Sequence, residues 1–419
     1  MALFVALSAF VLYSCEKDDN GGDEVTQPDD RVDIVITKSQ QDALDISNEF
    51  AFKVFKEISK TEIGDMLFSP LSLQVALYML ANGASGNTYT EMTVVMGVKD
   101  MNIAEINGLY KTLLNGLSTA DKTTKLTFAN SFWVGESVMA NILNQYRLAL
   151  SENFSADVYE NTAFGSIEAT SKINSWVESK TDGMIKDLFK QTTADMQFIL
   201  IDALYFNGQW SNKFDKTATA SDEFLKLDGT KTEIDMMFQQ HTFVYNKYNS
   251  FATCKIPYGN EAFSMTVILP DEGCDFKKFI DGIDYELLFS NFSYPELYTN
   301  VKLYLPKFSI EYETQKLGDQ LNSLGMKMFG SGEKSLGNMM TPETSGIPLQ
   351  VVQKAKLDLD ESGTTAAAAT AITSYLGSAG TGSEPGPFTV EFKANRPFVY
   401  VIQERSTGAI LFIGEYTGI

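Results

Sequence analysis

This sequence predicts an α+β fold with antiparallel or mixed sheets around one shared core. Three observations carry that expectation. Helix-period and strand-period runs mix without regular β-α alternation, strand-like runs crowd the last third, and no repeat or linker divides the body after about residue 38. With 419 residues, 44% hydrophobic and 12% aromatic, the chain can bury one large core or two smaller ones.

The N-terminus reads as lying outside that fold. Residues 2–13 form an apolar run too short to span a bilayer as a helix, and it ends at Ser14-Cys15. A short apolar run, a small residue and then cysteine resembles a bacterial lipoprotein signal, with residues 1–14 removed and Cys15 lipidated as the mature N-terminus. The positive start of such a signal is missing, which fits a Met1 internal to a longer product; an ordinary cut-off signal with a chance cysteine is the alternative. Glu16, Lys17, Asp18 and Asp19 follow, then a charged, Gly/Asp/Pro-containing stretch that cannot bury enough surface to fold. Residues 15–38 are therefore expected to be a flexible acidic tether, with the globular domain spanning 39–419. Acidic residues directly behind the cysteine also resemble the export signal of Bacteroidetes lipoproteins. That implies an outer-membrane protein exposed at the cell surface and held to the membrane through Cys15.

Along the body, amphipathic helices are predicted over 44–58 and 173–180, and a more buried helix over 71–80. Strands are predicted over 126–134, 198–206, 263–269, 301–310 and 349–359. The segment 361–370 (Glu361, Ser362, Gly363, Thr364, Thr365, four alanines, Thr370) contains only small side chains and no charge after Glu361. Read alone, it is an exposed helix or a linker, because alanine is the best helix former. Its small residues also suit a strand that slides into a packed sheet, since alternate side chains must fit space left by neighbours.

Composition excludes several function classes. A net charge of −21 leaves no basic face for a phosphate backbone, so nucleic acid is not expected as a partner. The single histidine, His241, has no nucleophile elbow or phosphate-cradling glycine motif beside it, and no His/Cys spacing suits a metal. No cofactor, no metal and no catalytic residues are expected. Cys254 and Cys274 could pair in an oxidising compartment, but their spacing favours two free thiols.

Several short motifs then occur in one order. They are Phe68-Ser69-Pro70-Leu71-Ser72; Asn174, Trp176 and Val177 with Thr181 and Gly183; Ala203-Leu204-Tyr205-Phe206-Asn207-Gly208 with Trp210; Leu305-Pro306-Lys307-Phe308; the 361–370 run; and Asn395-Arg396-Pro397-Phe398. In order and spacing they resemble the serpins over about residues 40–419. The resemblance implies three β-sheets, a helical bundle and an exposed reactive-centre loop, in a chain expected to be monomeric. In inhibitory serpins a protease cleaves that loop, a covalent acyl-enzyme forms, and the freed loop inserts as a new strand of the main sheet.

The resemblance assigns a hinge to Glu361, Gly363, Thr364, Ala366 and Ala368, and a breach position to Trp210. If insertion begins near Thr364, then Thr364, Ala366, Ala368, Thr370, Ile372 and Ser374 share the inward face, and none carries charge or much volume except Ile372. The family's central gate usually pairs an asparagine with a histidine beside two serines; here Asp202 and Gln353 stand at those places, with Ser69 and Ser72. Asp202 is expected to accept from the Gln353 amide and from Ser69 or Ser72. The family's spacing from Glu361 puts the scissile bond after Gly377, whereas side-chain preference selects Tyr375 or Leu376. The scissile region is thus Tyr375, Leu376, Gly377, Ser378 and Ala379. Residues 357–392 contain no Lys or Arg, so elastase- and chymotrypsin-like serine proteases are the expected targets rather than trypsin-like ones. Papain-like cysteine proteases remain open as targets, as do a binding lipoprotein that never inserts and an enzyme of unrecognised site.

Overall fold

The computed structural model describes residues 31–289, 298–314, 317–332, 334–342, 353–364 and 389–419. Helix α1 (Lys38–Ser59) starts at a reciprocal cap: the Thr37 hydroxyl accepts from the Gln40 N–H, and the Gln40 side chain accepts from the Thr37 N–H. The end of the expected tether is not free. Val32 N–H donates to the Ala120 carbonyl, and Ile34 is buried against Gly116 with its amide on the Ser406 hydroxyl. Ile34 and the partly buried Ile36, in the mostly apolar stretch 32–36, dock it on the core, so the folded domain begins near residue 32 rather than 39.

Strand β1 (Met66–Phe68) leads into α2 (Pro70–Gly83). Ser69 caps α2 through the Ser72 N–H, and Pro70 sits in the first turn, where a missing N–H costs nothing. Buried on almost every side, α2 packs against both sheets. There follow α3 (Gly86–Val95), α4 (Ile103–Leu117), β2 (Lys125–Gly135), α5 (Asn144–Phe154), β3 (Asp157–Thr162), α6 (Ile167–Lys180) and β4 (Phe198–Gln209). Next are β5 (Ala220–Leu225), β6 (Lys231–Lys247), β7 (Phe251–Tyr258), β8 (Phe263–Pro270), α7 (Phe276–Gly282) and α8 (Tyr285–Phe289). The last elements are β9 (Tyr298–Pro306), β10 (Phe308–Thr314), α9 (Leu317–Ser323), β11 (Gln353–Asp360), β12 (Gly363–Thr364), β13 (Thr389–Lys393), β14 (Phe398–Glu404) and β15 (Ile410–Tyr416).

The run 301–310, expected as one strand, is two. Lys307 separates β9 from β10, and the two strands join different sheets. The expected three sheets appear as two hydrogen-bonded units among the described residues: a six-stranded sheet, β10-β11-β12-β4-β2-β3, and a nine-stranded one, β1-β15-β14-β8-β7-β6-β9-β13, with β5 on β6. The second and third sheets are fused because β6 runs unbroken through both. Its first part pairs with β5 and β9, and Val244 hands over by pairing with Tyr298 of β9 and Lys255 of β7.

In β4, alternate residues divide two cores. Leu204 and Phe206 face α2 in the large core, while Ile201 and Ala203 face α6 with Trp133, Ile173, Trp176 and Val177. The motif around α6 is a staple. Asn174 exchanges two hydrogen bonds with the backbone of Phe189, and the Thr181 hydroxyl accepts from Ile185 N–H, which fixes the connection running to β4.

Candidate functional site

The six-stranded sheet is joined at its centre by very little. Among the described residues, only the two-residue β12 bridges β4 and β11. Thr364 pairs with Leu359 on one side and Gly208 on the other; Gly363 pairs with Asp360 and Gln209. Residue 363 must be glycine: its φ is +152°, and a Cβ there would lie 2.1 Å from the Gly208 carbonyl oxygen. The preceding turn is held by the Asp360 carboxylate, which accepts from the N–H groups of Ser362 and Gly363.

Each polar group at this upper end has a partner. Thr364 is buried, and its hydroxyl lies 2.6 Å from the Tyr258 hydroxyl. Trp210 is buried, stacks on Tyr258 with ring centroids 4.3 Å apart, and donates its indole N–H to the Asp360 carbonyl. Its backbone N–H donates to the Ser362 carbonyl, and Phe214 N–H to that of Glu361. The buried Glu361 carboxylate accepts from the Thr219 hydroxyl at 2.9 Å and from Lys307 at 3.2 Å. Burial alone would raise this carboxyl, but backbone, Thr219 and Lys307 outweigh it and hold it below the usual glutamate range. Thr219 and Tyr258 are contacts that sequence reasoning missed; neither lies in a motif. Lys307 did lie in one, without any sign that its partner was Glu361.

Lower in the same slot the expected gate network is not formed. Gln353 does not reach Asp202; its amide oxygen accepts from Ser69 N–H and its amide nitrogen donates to the Ser69 carbonyl, both at 2.8 Å. The Ser69 hydroxyl donates to the Leu411 carbonyl and caps Ser72. Gln353 therefore ties β11 to the entry of α2 and is turned away from Asp202. Neither oxygen of the Asp202 carboxylate receives a hydrogen bond from the protein, although both are shielded from solvent. Burial pushes its carboxyl up to about 8; the neighbouring Ser72 hydroxyl tempers this without forming a hydrogen bond. The physical reason for the missed gate is that Gln353 satisfies the buried Ser69 N–H and adds a second hydrogen bond to a carbonyl that already accepts from the Leu73 N–H.

Of the remaining sequence-derived positions, Ala366, Ala368, Tyr375, Leu376, Gly377, Ser378, Ala379 and Cys15 lie outside the described residues. Cys254 is buried in β7, Cys274 is exposed, and both thiols are free. Among the described residues no group of His, Cys, Asp and Glu side chains suits a metal ion, and no helix is long and apolar enough to cross a membrane.

A six-stranded sheet joined at its centre by two residues of a small-residue segment, beside a nine-stranded sheet and a set of helices, defines the class of the protein. Comparison with known proteins places it. Residues 45–418 match the family Serpin (serine protease inhibitor), and the chain belongs to that family. It is 31% identical to an uncharacterized serpin-like protein of Thermococcus kodakarensis over 399 residues, covering 93% of this chain and 88% of the relative. It is 30% identical to a leukocyte elastase inhibitor of Xenopus laevis, covering 88% and 97% respectively. The native structure of the thermophilic serpin tengpin superposes with a TM-score of 0.79 at 26% identity, over 93% of this chain and 96% of that one. Serpins generally act on proteases as inhibitors rather than as enzymes.

Proposed function

We propose that this chain is a suicide inhibitor of endopeptidases that works by loop cleavage and insertion between β4 and β11. The observation that carries the reading is the position of Gly363 and Thr364. The hinge already occupies the top of the slot, on the inward face, with no charged or bulky side chain following it through Thr370. Each next pair of residues can extend an existing ladder, so no new strand nucleus is required.

Elastase- and chymotrypsin-like serine proteases are the proposed targets. Residues 357–392 offer no cation to a carboxylate-bearing primary pocket, while Tyr375, Leu376, Ser378 and Ala379 suit apolar or shallow ones. The similarity to an elastase inhibitor supports the same class. Cleavage after Gly377 would instead present Leu376 as papain-like cysteine proteases prefer. We place the protein at the outer membrane surface, anchored through Cys15, on the sequence pattern alone.

Mixing the purified protein with a protease panel and reading denaturing gels tests the function. A complex resistant to denaturation with elastase or chymotrypsin, and none with trypsin, is the expected result. Clean loop cleavage by all of them without complex would favour a binding protein that never inserts. Membrane fractionation of a Cys15→Ala variant tests the anchor: the variant should become soluble, and a soluble, unlipidated wild type would refute anchoring.

A further inference from the structure

The slot contains a second feature below the hinge. A cavity of about 140 Å³ opens between α2 and β4, lined by Leu73, Leu77 and Leu80 of α2 and by Phe198, Leu200 and Asp202 of β4. Leu317 and Phe329 close one side, and Leu188 and Phe189 lie over it, held there by the Asn174 staple. An apolar cavity of about this size holds a ring as large as benzene.

Asp202 makes the site unusual. Its carboxylate opens onto a space that the leucines and phenylalanines share with Ser72, Thr193 and Gln353; it is shielded from solvent and takes no hydrogen bond from the protein. Three polar side chains face it from the elements packed around it; only the Ser72 hydroxyl is free to turn toward it, and none meets hydrogen-bond geometry. Ser72 of α2 makes no hydrogen bond to it, Asn130 of β2, its cross-strand partner, donates to the Phe154 carbonyl, and Gln353 of β11 donates to the Ser69 carbonyl. The other ionisable residue among the described lining is Asp195, a further acid, exposed at the edge. A pocket of mixed lining, with large apolar side chains on one part, an acceptor that takes no hydrogen bond on another and only acidic groups to titrate, complements an amphipathic cation.

We propose that this cavity is a binding site for a small organic amine: an ammonium head on the Asp202 carboxylate and a compact aromatic or aliphatic body against the leucines and phenylalanines. A buried ammonium–carboxylate pair gains from the low dielectric, and the apolar body removes the remaining surface from water. The site stands whether or not the loop traps a protease.

Benzylamine and its neutral analogue benzyl alcohol are the probes, titrated into the full chain at a pH above about 8, where Asp202 is ionised, and followed by calorimetry or ligand-observed NMR. For so small a molecule, binding on the order of 0.1–1 mM is expected. Wild type should prefer the amine by about tenfold or more, the share of one charged hydrogen bond. Asp202→Asn should erase the preference while still binding the alcohol. Ala76→Leu, which pushes a larger side chain into the cavity, should abolish binding of both. Should Asp202→Asn fail to fold, the amine-to-alcohol contrast in wild type decides alone. Equal affinities would mean the carboxyl is satisfied by its own proton or by water, and would overturn the proposal. Unchanged binding in Ala76→Leu, or no saturable binding of the amine, would overturn it equally.

Discussion

The upper and middle parts of the slot between β4 and β11 are built on opposite terms. Above, Thr364, Glu361, Asp360 and Trp210 each have a partner in hydrogen-bond range, and the rings of Trp210 and Tyr258 stack beside them. In the middle, Asp202 has no protein donor, a cavity lies alongside, and the tie across the gap runs from Gln353 to backbone at the start of α2 rather than to β4. The difference teaches where resistance to opening resides. Parting the middle breaks few good contacts between β4 and β11, whereas moving the hinge breaks many.

The largest effect should come from spoiling the well-bonded end. Thr364→Arg would bury a cation with no counter-charge beside Tyr258, at a cost of several kcal/mol, so yield of covalent complex should fall by about 100-fold or more while loop cleavage continues. Denaturing gels read both products, and an undiminished complex would contradict insertion.

Next comes Asp202. Its folded carboxyl titrates near 8, above the unfolded value, so the native state holds the extra proton. Stability contributed by that proton is full below about pH 4 and is lost as pH rises through 8, with a slope of up to about 1.4 kcal/mol per pH unit. Thermal melts of wild type should therefore drop between pH 5 and 8 more than those of Asp202→Asn. Parallel curves would show that the carboxyl is better satisfied than the geometry indicates. Because Asp202 accepts from no protein donor, removing it strands none, and Asp202→Asn should slow rather than hasten heat-induced polymerisation.

Gln353→Ala should do the reverse. It leaves the buried Ser69 N–H unpaired, while the carbonyl keeps the Leu73 N–H, at about 1–3 kcal/mol, and should speed polymerisation on heating. Unchanged rates would remove Gln353 from the slot's restraint.

The smallest effect belongs to Glu361→Gln. Its carboxyl sits below the usual value, so its contribution is present above about pH 4.5 and fades as pH falls through the folded value. With Lys307 partly exposed, the loss should be about 1 kcal/mol or less at neutral pH and should vanish in acid. Melts of the two proteins at pH 7 and pH 4 check it.

Elements marked by local chemistry were legible in the sequence. The buried α2 and the strands at 126–134, 198–206 and 263–269 each follow from residues within a few positions of one another. What stayed hidden depends on chain segments far apart. That Gln353 would prefer the backbone of Ser69 to Asp202, that Tyr258 would meet Thr364, and that β6 would run through two sheets are decided by pairings over many residues, to which periodicity is blind. The split of 301–310 was missed for a related reason. Both halves alternate as strands should, and only the sheet each one joins tells them apart.

The chain beyond residue 388 is woven into the nine-stranded sheet: β13 lies along β9, β14 between β15 and β8, and β15 between β14 and β1. A break anywhere in 365–388 therefore nicks the molecule without dividing it. Gel filtration or native mass spectrometry would register one particle heavier by a single water, and the C-terminal fragment would part from the rest only in denaturant or organic solvent.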